Sequence, residues 1–258
     1  MTDTRLDTMA RHMWDARLAR QKYGNLPTEL HPASIAEAYQ AQEVYYRLAE
    51  PVYGPVGGVK VATTTKVMQE LMGITHPCGG AIFSRTIHAS PARIAKSDFV
   101  NLRVESEIAL KLAKDMPASG APWTADSVVP FVAGAMPAYE LIEDRNAVYT
   151  ECNAVSMIVE NCWNGGVVIG TPKPVTAKDI VGVAGRQTLN GKVIGEGKAE
   201  DPFATLAWLA NLLAERKRDL KAGMVVITGS LIPTFSISPG DHVVFTVDGL
   251  GEAIMDVT

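Results

Sequence analysis

Cysteine is scarce in this chain of 258 residues: there are three, Cys78, Cys152 and Cys162. The number is odd and the spacings are unpaired, which argues against a disulfide framework and for a reducing compartment. No apolar run approaches the roughly 18 residues that a membrane span needs. The opening residues Met1-Thr2-Asp3-Thr4-Arg5 lead into a charged amphipathic segment rather than a signal peptide, so a cytoplasmic protein is expected. Lysine and arginine together number 24 against 28 acidic residues, and no basic stripe stands out, so neither a nucleic acid nor a membrane is an expected partner. Small acidic substrates stay open, because a local cationic site does not need a basic protein. His12, His31, His76, His88 and His242 form no metal-like pair. Gly195-Glu196-Gly197 lacks the spacing of a dinucleotide site and reads as a turn. No internal repeat is evident.

What is present is an ordinary globular composition, 47% hydrophobic and 20% charged, long enough for one large domain or one with a helical appendage. The first fifty residues read as two helices. Leu6, Met9, Met13 and Trp14 recur near the 3.6-residue period, with Gly24 and Pro27 as the stop. Ser34 and Glu37 have capping-box spacing, and the second helix is expected to run from Ile35 to about Glu50, ended by Pro51 with Gly54 and Pro55. Strand grammar follows at 58–62, 81–83 and 99–110, while 128–138 fits strand or helix. Asn190-Gly191 marks a hairpin, since it accepts the positive φ angles of a type I′ turn. Asp201-Pro202 opens a helix, and His242–Val247 is expected to pair with Ala253–Val257. The sum is an α+β chain: a helical region over 1–56, then a larger mixed-sheet body over 57–258.

The chemistry concentrates in Leu102-Arg103-Val104-Glu105-Ser106-Glu107-Ile108-Ala109-Leu110. On a strand Leu102, Val104, Ile108 and Leu110 share one face, and Glu105 and Glu107 the other. Two carboxylates on one face repel unless a cation or water separates them, and hard oxygen ligands suit Mg2+ or Mn2+. A solvated outer face has the same pattern, and spacing alone favours that reading. Glu140, flanked by apolar residues, is the candidate third acid.

Val104–Ala109 resembles the Glu-x-Glu metal motif of the fumarylacetoacetate-hydrolase superfamily. The stretch 139–145 is similar to the segment supplying that family's third carboxylate. The stretch 58–66 resembles the lysine-bearing strand of the 2-oxopent-4-enoate hydratases, and 220–231 their C-terminal strand and substrate loop. Four matches in order reverse the spacing argument. The resemblance implies a rolled mixed β-sheet body with Glu105, Glu107 and Glu140 as metal ligands. It implies Lys60 as the acid/base, with its pKa lowered near a metal, and Thr228, Ser230 and Asn161 as substrate contacts. The implied reaction is metal-dependent hydration of a 2-hydroxydienoate or 2-oxo-enoate to a 4-hydroxy-2-oxo acid, in the meta-cleavage breakdown of aromatic compounds. The alternative is decarboxylation of a 2-oxo-3-enedioate, as in 4-oxalocrotonate decarboxylase. A second alternative is a non-catalytic keto-acid-binding or structural member. The family also implies a homo-oligomer, or pairing with another enzyme of the pathway.

Two departures qualify this. Cys78 stands where the hydratases often carry an aspartate, and reads as an inert small side chain. Glu160-Asn161 replaces a usual Asp-Asn pair. No His-x-x-Glu occurs, which disfavours the C–C hydrolysis of the superfamily's acylpyruvate hydrolases. Trp163 and Trp208 read as core or interface residues.

Overall fold

The computed structural model describes residues 4–258; residues 1–3, part of the segment read as too charged for a signal peptide, lie outside the described residues. Helix α1 (Thr4–Leu18) buries Met9, Ala10, Met13 and Trp14 on one stripe, as the periodicity predicts. Helix α2 (Ile35–Tyr53) starts at Ser34, whose hydroxyl accepts the Glu37 N–H at 3.1 Å. The Glu37 carboxylate returns to the Ala33 N–H rather than to Ser34. Gly54 ends α2 as expected, but Pro51 does not stop it, because the helix runs through Pro51 to Tyr53. A proline in the last turn removes a single helix bond. The terminal carbonyls of Pro51 and Val52 accept from Arg85, and Gly54, at φ 79°, closes the turn by donating to Glu50.

The body contains strands β1 (Val56–Ala62), β2 (Cys78–Phe83), β3 (Ile87–Ala89), β4 (Ala92–Ile94), β5 (Leu102–Leu112), β6 (Val132–Glu143) and β7 (Asn164–Ile169). It continues with β8 (Ala184–Leu189), β9 (Lys192–Lys198), β10 (Val225–Ser230), β11 (Phe235–Ser236), β12 (His242–Val247) and β13 (Gly251–Val257). Short helices α3 (Lys66–Leu71), α4 (Ala125–Val128), α5 (Ala154–Val159) and α6 (Ala177–Ile180) punctuate them, and α7 (Pro202–Glu215) is the longer helix of the body. The 128–138 ambiguity resolves mainly to strand, since β6 begins at Val132.

The larger sheet has eight strands, ordered β2-β1-β10-β5-β6-β7-β3 with β11 beside β5; the smaller is β4-β13-β12-β8-β9. Both mix parallel and antiparallel pairs: β1–β10 and β13–β4 are parallel, β5–β6 and β12–β13 antiparallel. Neither sheet closes into a barrel. The Asn190-Gly191 turn has both φ angles positive, 51° and 77°, and joins β8 to β9 as predicted. Asp201 caps α7 by accepting from Phe203 and Ala204.

The sheets bury one core between them, where Tyr139 of β6 meets Phe245 of β12 with ring centroids 6.2 Å apart. Leu206, Leu209 and Ala210 of α7 extend this core. A second core lies under the N-terminal helices, joining Met13 and Tyr45 to Phe83 of β2, Ile158 of α5 and Trp163. The helical region thus braces the β2–α5 side of the body. Among the described residues no helix is long and apolar enough to cross a membrane.

Candidate metal and substrate site

Strand alternation sends Leu102, Val104, Ile108 and Leu110 into the inter-sheet core and leaves Glu105 and Glu107 on the opposite face of β5. Antiparallel register places Glu140 of β6 directly across from Glu105. The three carboxylates each offer an oxygen within 4.8 Å of the others, and Glu107 and Glu140 are fully buried. Among the described residues, no other group of three potential metal ligands comes together. The fully solvated face that the spacing left open is therefore ruled out.

Lys60 approaches from β1. Its ammonium lies 2.9 Å from Glu140 Oε1 and donates to the Cys162 carbonyl at 3.3 Å. A break in the β10–β5 register between Ile227 and Ser230 frees the Gly229 N–H, which donates to Glu107 Oε2 at 2.7 Å. Gly229 has φ 106°, a region that side chains rarely adopt, so the turn that aims this N–H at the site depends on glycine. Thr234 donates its hydroxyl to Glu105, and Asn164 donates its amide to Glu140 Oε1 at 3.0 Å. Two buried oxygens then remain without a partner, Glu107 Oε1 and Glu140 Oε2. Orphaned carboxylate oxygens at this depth carry a heavy desolvation cost. A hard divalent cation satisfies both and screens the three charges from one another, so the donor set fits such an ion.

The protonation pattern follows from this crowding. Burial first, then the Glu140 and Glu105 charges, hold the Glu107 carboxyl well above the usual range. Burial pushes Glu140 up to about 7, against the pull of Lys60. By themselves the chain's own groups do not produce the lowering expected for Lys60 beside a metal ion. Desolvation acts in that direction, but the negative charge around the ammonium, Glu140 foremost, outweighs it and raises the pKa. Burial pushes the Cys78 thiol up to about 11, so it stays protonated at neutral pH, in keeping with an inert side chain.

A cavity of about 460 Å³ opens over the triad, lined by Lys60, Glu105, Thr63–Thr65, Ser230 and Thr234. Met68, Ile142, Met157, Trp163 and Ile232 give it an apolar wall. Other cavities of the molecule, of about 530 and 870 Å³, contain none of the three acids. Ser230 lines the cavity as expected, with its hydroxyl donating to the Ile232 carbonyl at 2.6 Å. Thr228 does not line it; its hydroxyl is tied to the Ile108 carbonyl at 2.8 Å. Asn161 is also displaced from the expected substrate contact. Its amide binds both the N–H and the carbonyl of Ala81, at 2.6 and 2.9 Å, which fastens the Cys162 turn to β2. Gly195-Glu196-Gly197 is strand rather than turn. A Cβ at Gly197 would lie 1.9 Å from the Leu231 carbonyl, so the glycines of β9 seat the loop that walls the cavity.

Sequence reasoning gave no role to Gly229, Thr234 or Asn164, and it read Trp163 only as core or interface. Gly229 reaches the site through the register break of β10, Asn164 follows the left-handed turn at Asn161–Trp163, and Thr234 comes from the loop between β10 and β11.

Comparison with known proteins bears on this geometry. Residues 29–258 match the family model described as fumarylacetoacetate (FAA) hydrolase C-terminal. A 2-keto-4-pentenoate hydratase of Paraburkholderia phymatum is 26% identical over 255 residues, covering 96% of each chain. A 4-oxalocrotonate decarboxylase of Pseudomonas putida is 25% identical over 251 residues, covering 94% of this chain and 93% of that one. The fold is similar to a solved 4-oxalocrotonate decarboxylase from Pseudomonas putida G7, complexed with magnesium and adipate. The TM-score is 0.89 at 22% identity, covering 100% of this chain and 99% of the other.

Proposed function

Because the chain belongs to the fumarylacetoacetate hydrolase family, we propose that it is a divalent-metal-dependent lyase that adds water to a 2-hydroxydienoate or 2-oxo-enoate. The product is a 4-hydroxy-2-oxo acid, formed during meta-cleavage breakdown of aromatic compounds. The observation that carries this reading is the buried triad of carboxylates with two orphaned oxygens facing one ammonium. Relatives named as hydratases support the choice of reaction.

Glu105, Glu107 and Glu140 would hold the ion, Mg2+ or Mn2+ by the hardness of an all-oxygen set. When bound, it supplies Lewis acidity to an oxygen of the substrate's 2-oxo acid head. The remaining work falls to the chain's own groups. In hydration the dienol gives up its C2 hydroxyl proton and takes a proton at C5, leaving the C3–C4 double bond conjugated with the carbonyl. Water then bonds through oxygen to C4, and a proton reaches C3. Among the described residues Lys60 is the one cationic side chain lining the cavity, so it delivers and recovers these protons. Cys162 and Glu140 hold its ammonium in place, and Asn161 fixes the Cys162 turn. The Ser230 and Thr234 hydroxyls line the polar side and orient the head group.

Decarboxylation of a 2-oxo-3-enedioate is the second reading. It is favoured by Cys78, a buried thiol where hydratases often have an acid. Incubation with Mg2+ and 2-oxohex-3-enedioate, followed by NMR with a chelator control, separates the two. The expected result is a metal-dependent 4-hydroxy-2-oxo product without CO2. Metal-dependent CO2 release moves the assignment to decarboxylase, and turnover that survives chelation overturns both.

A further inference from the structure

We propose that the cavity of about 530 Å³ beneath the C-terminal ends of α1 and α2 is a second ligand site, which takes a small organic dianion with a flat apolar body. Five guanidiniums line it, those of Arg17, Arg20, Arg85, Arg93 and Arg145. The acids that face them are fewer. Glu143 is buried and already accepts from the backbone N–H groups of Val100, Asn101 and Arg145. Asp98 is exposed and forms no ion pair with the arginines among the described residues. Glu160, behind the wall, is shared by Arg145 and Arg17. With all three acids ionised, two positive charges are left over.

The excess lies with the arginines that meet no carboxylate. Arg20 donates to the carbonyls of Ser97, Asp98 and Phe99, and Arg85 to those of Pro51 and Val52. Those acceptors are uncharged, and the end of α2 offsets only part of one guanidinium. Arg93 is exposed and its side chain has no partner among the described residues. Arg17 is nine-tenths buried, and its Nη1 has no hydrogen bond, with Glu160 only at 3.6 Å. Guanidinium forks suit the paired oxygens of a phosphate or carboxylate. The other wall is apolar and aromatic, from Tyr45, Tyr53, Phe83 and Phe99, with Leu18 and Val52 exposed at its edge. A flat ring packs against such a wall, and the volume lies in the range of small-molecule sites. One turn separates this cavity from the one over the triad. Asn161 and Asn164 line the first, Cys162 and Trp163 the second, and φ values of 61°, 51° and 58° run through Asn161–Trp163. The site is therefore an effector site beside the reaction rather than part of it.

Calorimetry on the Mg2+-loaded protein with phenyl phosphate and phthalate, and with inorganic phosphate as the bare head, tests this. The expected result is saturable binding of at least one aromatic dianion, about tenfold or more tighter than inorganic phosphate. The tighter of the two dianions identifies the head group. R93Q should weaken that binding about tenfold, as for one hydrogen bond between charged groups, and R93K should keep part of it. Both variants should turn over substrate as the parent does. E107Q should bind the dianion unchanged, because Glu107 belongs to the triad and not to this cavity. Affinity no better than for inorganic phosphate overturns the proposal. Binding that is lost in E107Q and kept in R93Q puts the dianion on the metal site and overturns it as well. Absence of binding, with a change of oligomeric state in R93Q, would give this face to a second copy of the chain instead.

Discussion

Two buried acidic centres lie on either side of Asn164, and they are balanced differently. At one, Glu160 meets Arg145 with contacts of 3.0 and 2.7 Å, and Arg17 at 3.6 Å. One carboxylate faces two guanidiniums, and a further arginine donor bonds to the Gln21 carbonyl at 2.5 Å. At the other, Glu105, Glu107 and Glu140 share Lys60 alone. Fully ionised, that site is left with two uncompensated negative charges. Burying an ion costs several kcal/mol unless it is paired. The chain closes the first centre with its own residues and leaves the second short by the charge of one divalent ion. A structural ion pair and a metal site both begin as buried glutamate, and the count of facing cations tells them apart.

The sharpest way to break the comparison is Glu160→Gln. It leaves Arg145 and Arg17 buried without their anion, which should cost about 3–5 kcal/mol in urea-induced unfolding. Little of that cost should depend on Mg2+. A variant with unchanged unfolding but no turnover would move Glu160 into the reaction and dissolve the contrast.

Glu107→Gln should act with the opposite sign on the ion-free fold. Removing one of three crowded carboxylates relieves repulsion, and the amide can still accept from Gly229 and can donate toward Glu140 Oε2. The melting temperature without metal is expected to hold or rise. The stabilisation that Mg2+ gives by binding the native state should disappear. Turnover should fall by at least about 100-fold, the upper end of what loss of a mere ligand-orienting partner costs. A melting temperature that drops without metal would mean that the triad is held by its own hydrogen bonds and has no need of an ion.

The two centres also differ in how far they could be read from the sequence. The strand period put Glu105 and Glu107 on one face without any three-dimensional information, and a carboxylate in an apolar stretch singled out Glu140. The Asn190-Gly191 hairpin and the Asp201 cap were equally legible, because each is decided by the backbone preferences of two or three adjacent residues. The Glu160 centre was not, since its partners are 15 and 143 positions away and meet only after α1 docks on α5. The same applies to Asn161. Its type suits a substrate contact, but its left-handed φ of 61° turns the amide onto Ala81 instead. Nor could the sequence say which carboxylates the Lys60 ammonium meets, because its contact with Glu140 arises only when β1 and β6 come together in one sheet.

Asn164 offers the smallest and most discriminating change, because it touches both centres by different atoms. Its backbone carbonyl accepts from Arg17 at 2.7 Å, while its side-chain amide donates to Glu140 at 3.0 Å. Asn164→Ala removes only the second contact and leaves the arginine cluster with its acceptor. Glu140 then keeps Lys60 but loses the donor that fixes its orientation toward the triad. Calorimetric Mn2+ affinity should weaken roughly 10-fold, the lower end of the range for a partner that orients a ligand. Urea unfolding of the ion-free protein should shift by less than in Glu160→Gln. If stability fell as far as in Glu160→Gln while metal affinity held, Asn164 would belong to the structural centre, and the boundary between the two would have to be redrawn through Glu140 itself.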